Sequence, residues 1–134
     1  MTTKISFRSE PLLNQLSKTL DSNQSLRKEA IQSLSSKISF EVTTKKNGGS
    51  SQFWLLDAEN DGNLKHIAEP PSSDDESIGI RIKISDPDLK KLIAGKTSAQ
   101  RLFMTGKLKI KGNVMKAAYI EKLLKFASPV KSKL

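Results

Sequence analysis

The sequence predicts an α+β domain: a single five-stranded, mainly antiparallel sheet covered on one face by about five helices. Three observations carry this. Several segments alternate apolar and polar residues with the period of a strand that buries one side. Helical-period segments precede them and interleave with the last of them. The links between the first four strands are turn-like, which favours antiparallel pairing.

Leu12, Leu13, Leu16 and Leu20 recur at helical spacing in Pro11–Leu20, with Ser9 placed as an N-cap and Pro11 tolerated in the first turn. Asn23–Leu34 is a second helix, with Leu26, Ala30, Ile31 and Leu34 on one stripe. The period then changes. Lys37–Thr43 alternates as a half-buried strand, and Asn47-Gly48-Gly49-Ser50 is a flexible hairpin turn. Gln52–Asp57 is a strand apolar on both faces, Asn60–Asn63 a tight turn, and Leu64–Ala68 a short third strand. After the acidic loop Ser72–Glu76, Ile78–Ile84 alternates isoleucine with other residues throughout, the clearest strand in the chain. Ser85-Asp86-Pro87-Asp88 signals a helix start through its cap, early acids and proline, and Gly95 ends that helix. Thr97-Ser98 caps a short helix containing Ala99, Leu102 and Phe103. Gly106 opens Lys107–Lys111, a strand with a basic outer face that follows a helical excursion and is a candidate for parallel pairing. A last helix runs from Gly112-Asn113 to about Ala127, and Pro129 stops the pattern. The expected organisation is one domain over 1–127 and a free tail over 128–134.

The 134 residues suffice for one real core. The absence of cysteine excludes disulfides and thiolate chemistry, and a single histidine, His66, excludes any site that needs two. No apolar run approaches the ~18 residues of a membrane span. The formal net charge of +9 is unevenly spread: residues 89–134 carry twelve basic groups and one acidic, while 69–88 are net acidic. Such a basic body attracts nucleic acid, anionic lipid or phosphate-bearing metabolites.

Catalysis needs a nucleophile with a base, a carboxylate pair or a metal. His66 has no telling partner, and Asn47-Gly48-Gly49 lacks the lysine and hydroxyl of a phosphate loop. No enzyme activity and no cofactor are expected. A basic nucleic-acid-binding module is the alternative from another class. The basic strand carries no aromatic for bases to stack on, so nucleic acid is not the expected partner.

The last helix places Met115, Tyr119, Ile120, Leu123, Leu124, Phe126 and Ala127 on a face wider than one packing seam requires. Lys116 projects into that face, and the pattern gives no reason for it. With Leu102, Phe103 and Met104 these are bulky, flexible groups able to line a variable apolar space. Gly95–Asn113, in particular Gly106-Lys107-Leu108-Lys109-Ile110-Lys111-Gly112-Asn113 following Gln100 and Phe103, strongly resembles the signature of the sterol carrier protein-2, or non-specific lipid-transfer, family. Trp54 and the turn Asn60-Asp61-Gly62 match upstream, so the resemblance covers about residues 9–127.

The resemblance implies an apolar lipid-binding tunnel between sheet and helices, with fatty acids, acyl-CoA esters and sterols as ligands. It implies that Trp54, Phe103 and Met115 line the tunnel and that Gln100 faces a bound lipid's polar part. Periodicity adds Ile31, Leu34, Leu92, Ile93, Leu102, Tyr119, Leu123 and Leu124 to the lining. Lys107, Lys109 and Lys111 are expected as a basic mouth that meets anionic membranes or a CoA phosphate. The chain ends in Ser132-Lys133-Leu134, an address read by the peroxisomal import receptor. A monomer in the peroxisomal matrix is expected, handing lipid to membranes or β-oxidation enzymes.

Overall fold

A computed structural model describes residues 9–45 and 48–127. Asn47 of the expected hairpin turn, the tail over 128–134 and the address Ser132-Lys133-Leu134 lie outside them. The chain order is α1 (Glu10–Ser22), α2 (Gln24–Leu34), β1 (Ser36–Lys45), β2 (Gly48–Ala58), β3 (Leu64–Ile67), β4 (Ile78–Ser85), α3 (Asp86–Ile93), α4 (Ala99–Met104), β5 (Leu108–Gly112) and α5 (Ala117–Leu124). Single 3-10 turns flank α5 at Val114–Lys116 and Lys125–Ala127.

The five strands form one mixed sheet in the order β3-β2-β1-β4-β5. β1–β2, β2–β3 and β4–β5 are antiparallel, and β1–β4 is parallel. The parallel pair is thus not the one the sequence suggested. The segment 68–77 returns along the sheet before β4 begins, as parallel pairing requires, whereas α3 and α4 are short and deliver β5 antiparallel to β4.

Ile38, Phe40 and Val42 of β1, Trp54 and Leu56 of β2, and Ile80, Ile82 and Ile84 of β4 all turn to one face. They pack in one core with Leu13, Leu16 and Leu20 of α1, Ala30 and Leu34 of α2, and the apolar stripes of α3, α4 and α5. The other face of the sheet is left open. Phe53 and Leu55 of the doubly apolar strand lie on it, half-buried.

Local chemistry sets the helix ends. The Asp88 N–H donates to Ser85 Oγ at 3.3 Å, and the Ser85 hydroxyl donates to Asp88 Oδ2 at 2.9 Å. This reciprocal cap starts α3. Ser9 precedes α1 but does not cap it through its side chain. Its N–H and hydroxyl instead donate to Asp86 Oδ1 at 2.9 and 2.5 Å, tying the start of α1 to the start of α3. The Lys116 ammonium donates to the Leu34 carbonyl at 2.6 Å. A cation bonding the last carbonyl of α2 is favourable there, which accounts for a lysine inside an apolar stripe.

Gly112 ends β5 at φ +111°, and a Cβ there would lie 2.1 Å from the Gly79 carbonyl oxygen. Gly112→Ala is expected to cost about 3 kcal/mol in urea unfolding followed by Trp54 fluorescence. A loss below about 0.5 kcal/mol would show that the β4–β5 edge yields at no cost.

Candidate functional site

Parallel pairing of β1 with β4 and antiparallel pairing of β4 with β5 place Phe40, Ile82 and Ile110 in one row across the sheet. Ile84 and Leu108 form the next row. Leu89 and Leu92 of α3, Ala99 of α4 and Ile120 and Leu124 of α5 face them. Together they enclose an apolar cavity with a free volume of only about 20 Å³. The one charged group on its lining is Glu121. Its Oε1 accepts from the Ala99 N–H, the first residue of α4, at 3.1 Å. Its Oε2 lies 3.7 Å from Lys125 Nζ. One carboxylate at the cavity margin therefore links α5 to α4.

Of the residues expected to line a tunnel, Leu92 and Leu124 line this cavity. Leu34, Ile93, Leu102 and Leu123 are buried in the surrounding core, and Ile31 and Tyr119 are half-buried. Trp54 is buried near the other edge of the sheet. Its indole N–H donates to Gln52 Oε1 at 2.9 Å and its ring lies 4.9 Å from that of His66 on β3. Burial lifts the Tyr119 phenol above its usual range, the Glu29 carboxylate adds to the rise and the neighbouring Ser33 opposes it. The Tyr119 hydroxyl has no well-formed hydrogen bond.

Other expected site residues lie off this cavity. Gln100 is exposed and lines a surface depression with Ser98, Arg101, Met104 and Thr105. α4 has only six residues, and Ala99 and Leu102, three apart, take its inward side. Phe103 is 45 % exposed for the same reason, and Met115 is 83 % exposed. Met115 sits in a 3-10 turn, its N–H donating to Asn113 Oδ1 at 2.9 Å, so its phase differs from that of α5. The lysines do not ring the cavity either. Leu108 and Ile110 take the inward side of β5, so Lys109 and Lys111 stand on the open face, and Lys107 is exposed ahead of the strand.

The lining residues that sequence reasoning did not name as lining are Phe40, Ile82, Ile84, Leu89, Ala99, Leu108, Ile110 and Glu121, while Ile120 stood on the wide stripe of the last helix. For the strand residues the signal was the alternation itself, which marks the inward row but reads as ordinary core; Leu89, Ala99 and Ile120 belong to helical stripes that read the same way. Among the described residues, Phe103, Met104, Val114, Met115 and Phe126 are large apolar side chains left exposed, all on or beside the elements that cover the cavity. No group of three or more His, Asp or Glu able to hold a metal occurs among the described residues, and no described helix is long and apolar enough to cross a membrane.

Residues 13–125 match the SCP-2 sterol transfer family. The chain is 48 % identical over 83 residues to the fatty acid-binding protein of Yarrowia lipolytica, a match spanning 62 % of each protein. It is 35 % identical to the oleate-induced peroxisomal protein POX18 of Candida maltosa over 92 % of this chain and 91 % of that protein. The solved structure of sterol carrier protein 2 from Yarrowia lipolytica superposes with a TM-score of 0.76 at 37 % identity, over 97 % of this chain and all of that one.

The Glu121 link is testable. Glu121→Ala is expected to lower unfolding free energy by about 1–2 kcal/mol, since it leaves the Ala99 N–H without its acceptor. Glu121→Gln, which retains an acceptor, is expected to lose less than half of that by urea titration. Equal losses would assign the effect to something other than this hydrogen bond.

Proposed function

The chain belongs to the SCP-2 sterol transfer family, and we propose that it is a peroxisomal lipid carrier that takes fatty acids, fatty acyl-CoA esters and sterols between its sheet and its helices. The observation that carries this reading is the pair of inward rows, Phe40–Ile82–Ile110 and Ile84–Leu108, facing apolar residues of α3, α4 and α5 with one charged group at the margin. Such a lining is indifferent to the ligand's head and rewards its chain. Each buried methylene is worth about 0.8 kcal/mol, so sixteen carbons give about 13 kcal/mol gross. Association and ordering take back a large part, leaving net binding of micromolar order.

A free volume of about 20 Å³ is far below the roughly 300 Å³ at which ligand cavities begin. Loading therefore requires one wall to move. β1 is hydrogen-bonded on both sides, so the sheet is the fixed wall. α4 and α5 are short, are bounded by turns and are joined through Glu121, so they form the moving wall. Exposed Phe103, Met104, Met115 and Phe126 ride on or beside that wall, placed to meet a lipid chain as it enters. The relatives' descriptions, one a fatty acid-binding protein and one an oleate-induced peroxisomal protein, support both the ligand class and the compartment. Ser132-Lys133-Leu134 supplies the address in this reading, and β-oxidation enzymes are the recipients.

Displacement of a fluorescent fatty acid by palmitate, palmitoyl-CoA and ergosterol from delipidated protein tests it. Ala99→Leu adds bulk to the cavity and is expected to weaken palmitate binding at least about tenfold. Glu59→Gln, at an exposed position on the turn after β2 and away from the cavity, is expected to stay within about twofold of the unsubstituted chain, well under 1 kcal/mol. No displacement by any ligand would overturn the carrier reading.

Compartment is tested separately. A fluorescent protein fused ahead of the full chain is expected to colocalise with peroxisomes, and removal of residues 132–134 is expected to leave it diffuse. Peroxisomal signal that survives the deletion would remove those residues as the address.

A further inference from the structure

A second concavity lies on the open face of the sheet, back to back with the first. Its volume is about 380 Å³. The backbone at Phe40, Ile82 and Ile110 forms its floor, since their side chains turn to the other face. Phe53 of β2 and Pro70-Pro71 of the segment before β4 supply apolar walls. Arg81 and Lys83 of β4 and Lys109 and Lys111 of β5 supply the charge.

The register puts like charges directly opposite one another: Arg81 faces Lys111 and Lys83 faces Lys109. Pairs of this kind destabilise a sheet. Little on the protein offsets them. Glu41, the one carboxylate in the groove, accepts from the Ser51 hydroxyl at 2.9 Å and lies 4.0 Å from Lys83 Nζ. Lys109 and Lys111 have no ion-pair partner among the described residues. Arg81 has a second task. Its guanidinium donates to the carbonyls of Pro71, Ser72 and Asp75 at 3.3, 2.6 and 3.3 Å, holding the proline wall against the sheet. The Ser77 hydroxyl and N–H hold the Asp75 carboxyl below its usual range in the same segment.

We propose that this groove binds a nucleotide, its phosphates among Lys83, Lys109 and Lys111 and its base against Phe53 and Pro70-Pro71. A phosphate offers several anionic acceptors to ammonium donors and removes the repulsion between the two strands. A flat ring is what an aromatic wall and a proline wall accommodate. The volume suits one small ligand, and a concave site suits an inserted ligand better than the flat surface of a bilayer. The sheet separates this groove from the apolar cavity, so the site stands or falls independently of lipid carriage.

ADP is the probe, by isothermal titration at low salt, with pyrophosphate and phosphatidylserine-containing vesicles as further arms. ADP is expected to bind one to one. The doubly substituted chain Lys109→Glu, Lys111→Glu is expected to bind it at least about tenfold more weakly, as loss of charge-assisted bonds implies. The same exposed substitutions turn like-charge pairs into opposite ones, so the ligand-free variant is expected to melt higher than the unsubstituted protein. Phe53→Ser is expected to weaken ADP and leave pyrophosphate unchanged. No ADP binding, ADP binding unmoved by the lysine substitutions, or equal behaviour of ADP and pyrophosphate with Phe53→Ser would each overturn the proposal. Binding to phosphatidylserine vesicles without binding to ADP would overturn it too, by assigning the basic face to lipid headgroups.

Discussion

Phe40, Ile82 and Ile110 stand in one row because the register of β1 with β4 and of β4 with β5 leaves them no other place. A strand's side chains alternate faces with a period of two, so a slip of one residue would exchange those faces. In β4 that slip would drive Arg81 and Lys83 into the core and set isoleucines in water. The isoleucine alternation of Ile78–Ile84 thus does two jobs at once. It builds the rigid wall of the apolar interior, and it obliges the intervening residues to form the charged surface behind it.

The helical wall is held differently. Its apolar stripes pack against the sheet, but its defined polar joints are few and local. Glu121 joins α5 to α4, and Lys116 joins the approach to α5 to the end of α2. The Ser9–Asp86 bonds join α1 to α3. A lipid carrier needs this asymmetry. One wall must keep its register whether the site is loaded or not, and the other must yield without unfolding. Short helices bounded by turns, with 3-10 turns on both sides of α5, are suited to that, because moving them breaks few backbone hydrogen bonds.

Most of the fold was legible because it rests on local periodicity. The alternation of Lys37–Thr43 and Ile78–Ile84, the start of α3 at Ser85 and the order of ten elements all follow from short-range pattern. The parallel partner of β1 was not legible, since it depends on where a segment without periodicity carries the chain. The site was legible in class more than in residues. Helical spacing marks Leu92 and Leu124, which line the apolar cavity, whereas Phe40, Ile82 and Ile110 carry no sign that separates a cavity wall from ordinary core. Gln100 and Met115 lie off the cavity lining for a geometric reason: a six-residue helix and a 3-10 turn shift the phase that a longer helix would have kept. Lys116 looked like a fault in the stripe until its partner, the Leu34 carbonyl 82 residues earlier in the chain, was known.

In the proposed carrier a single acyl chain lies between the fixed sheet and the moving helices. Isotope-edited NOEs from labelled palmitate to the methyl groups of the protein test it directly. Contacts are expected from one chain to both walls, Ile82, Ile84 and Ile110 on the sheet and Leu92, Ile120 and Leu124 on the helices. Contacts confined to exposed Met104 and Met115, with none to the sheet isoleucines, would contradict it and place the lipid on the outside of the protein.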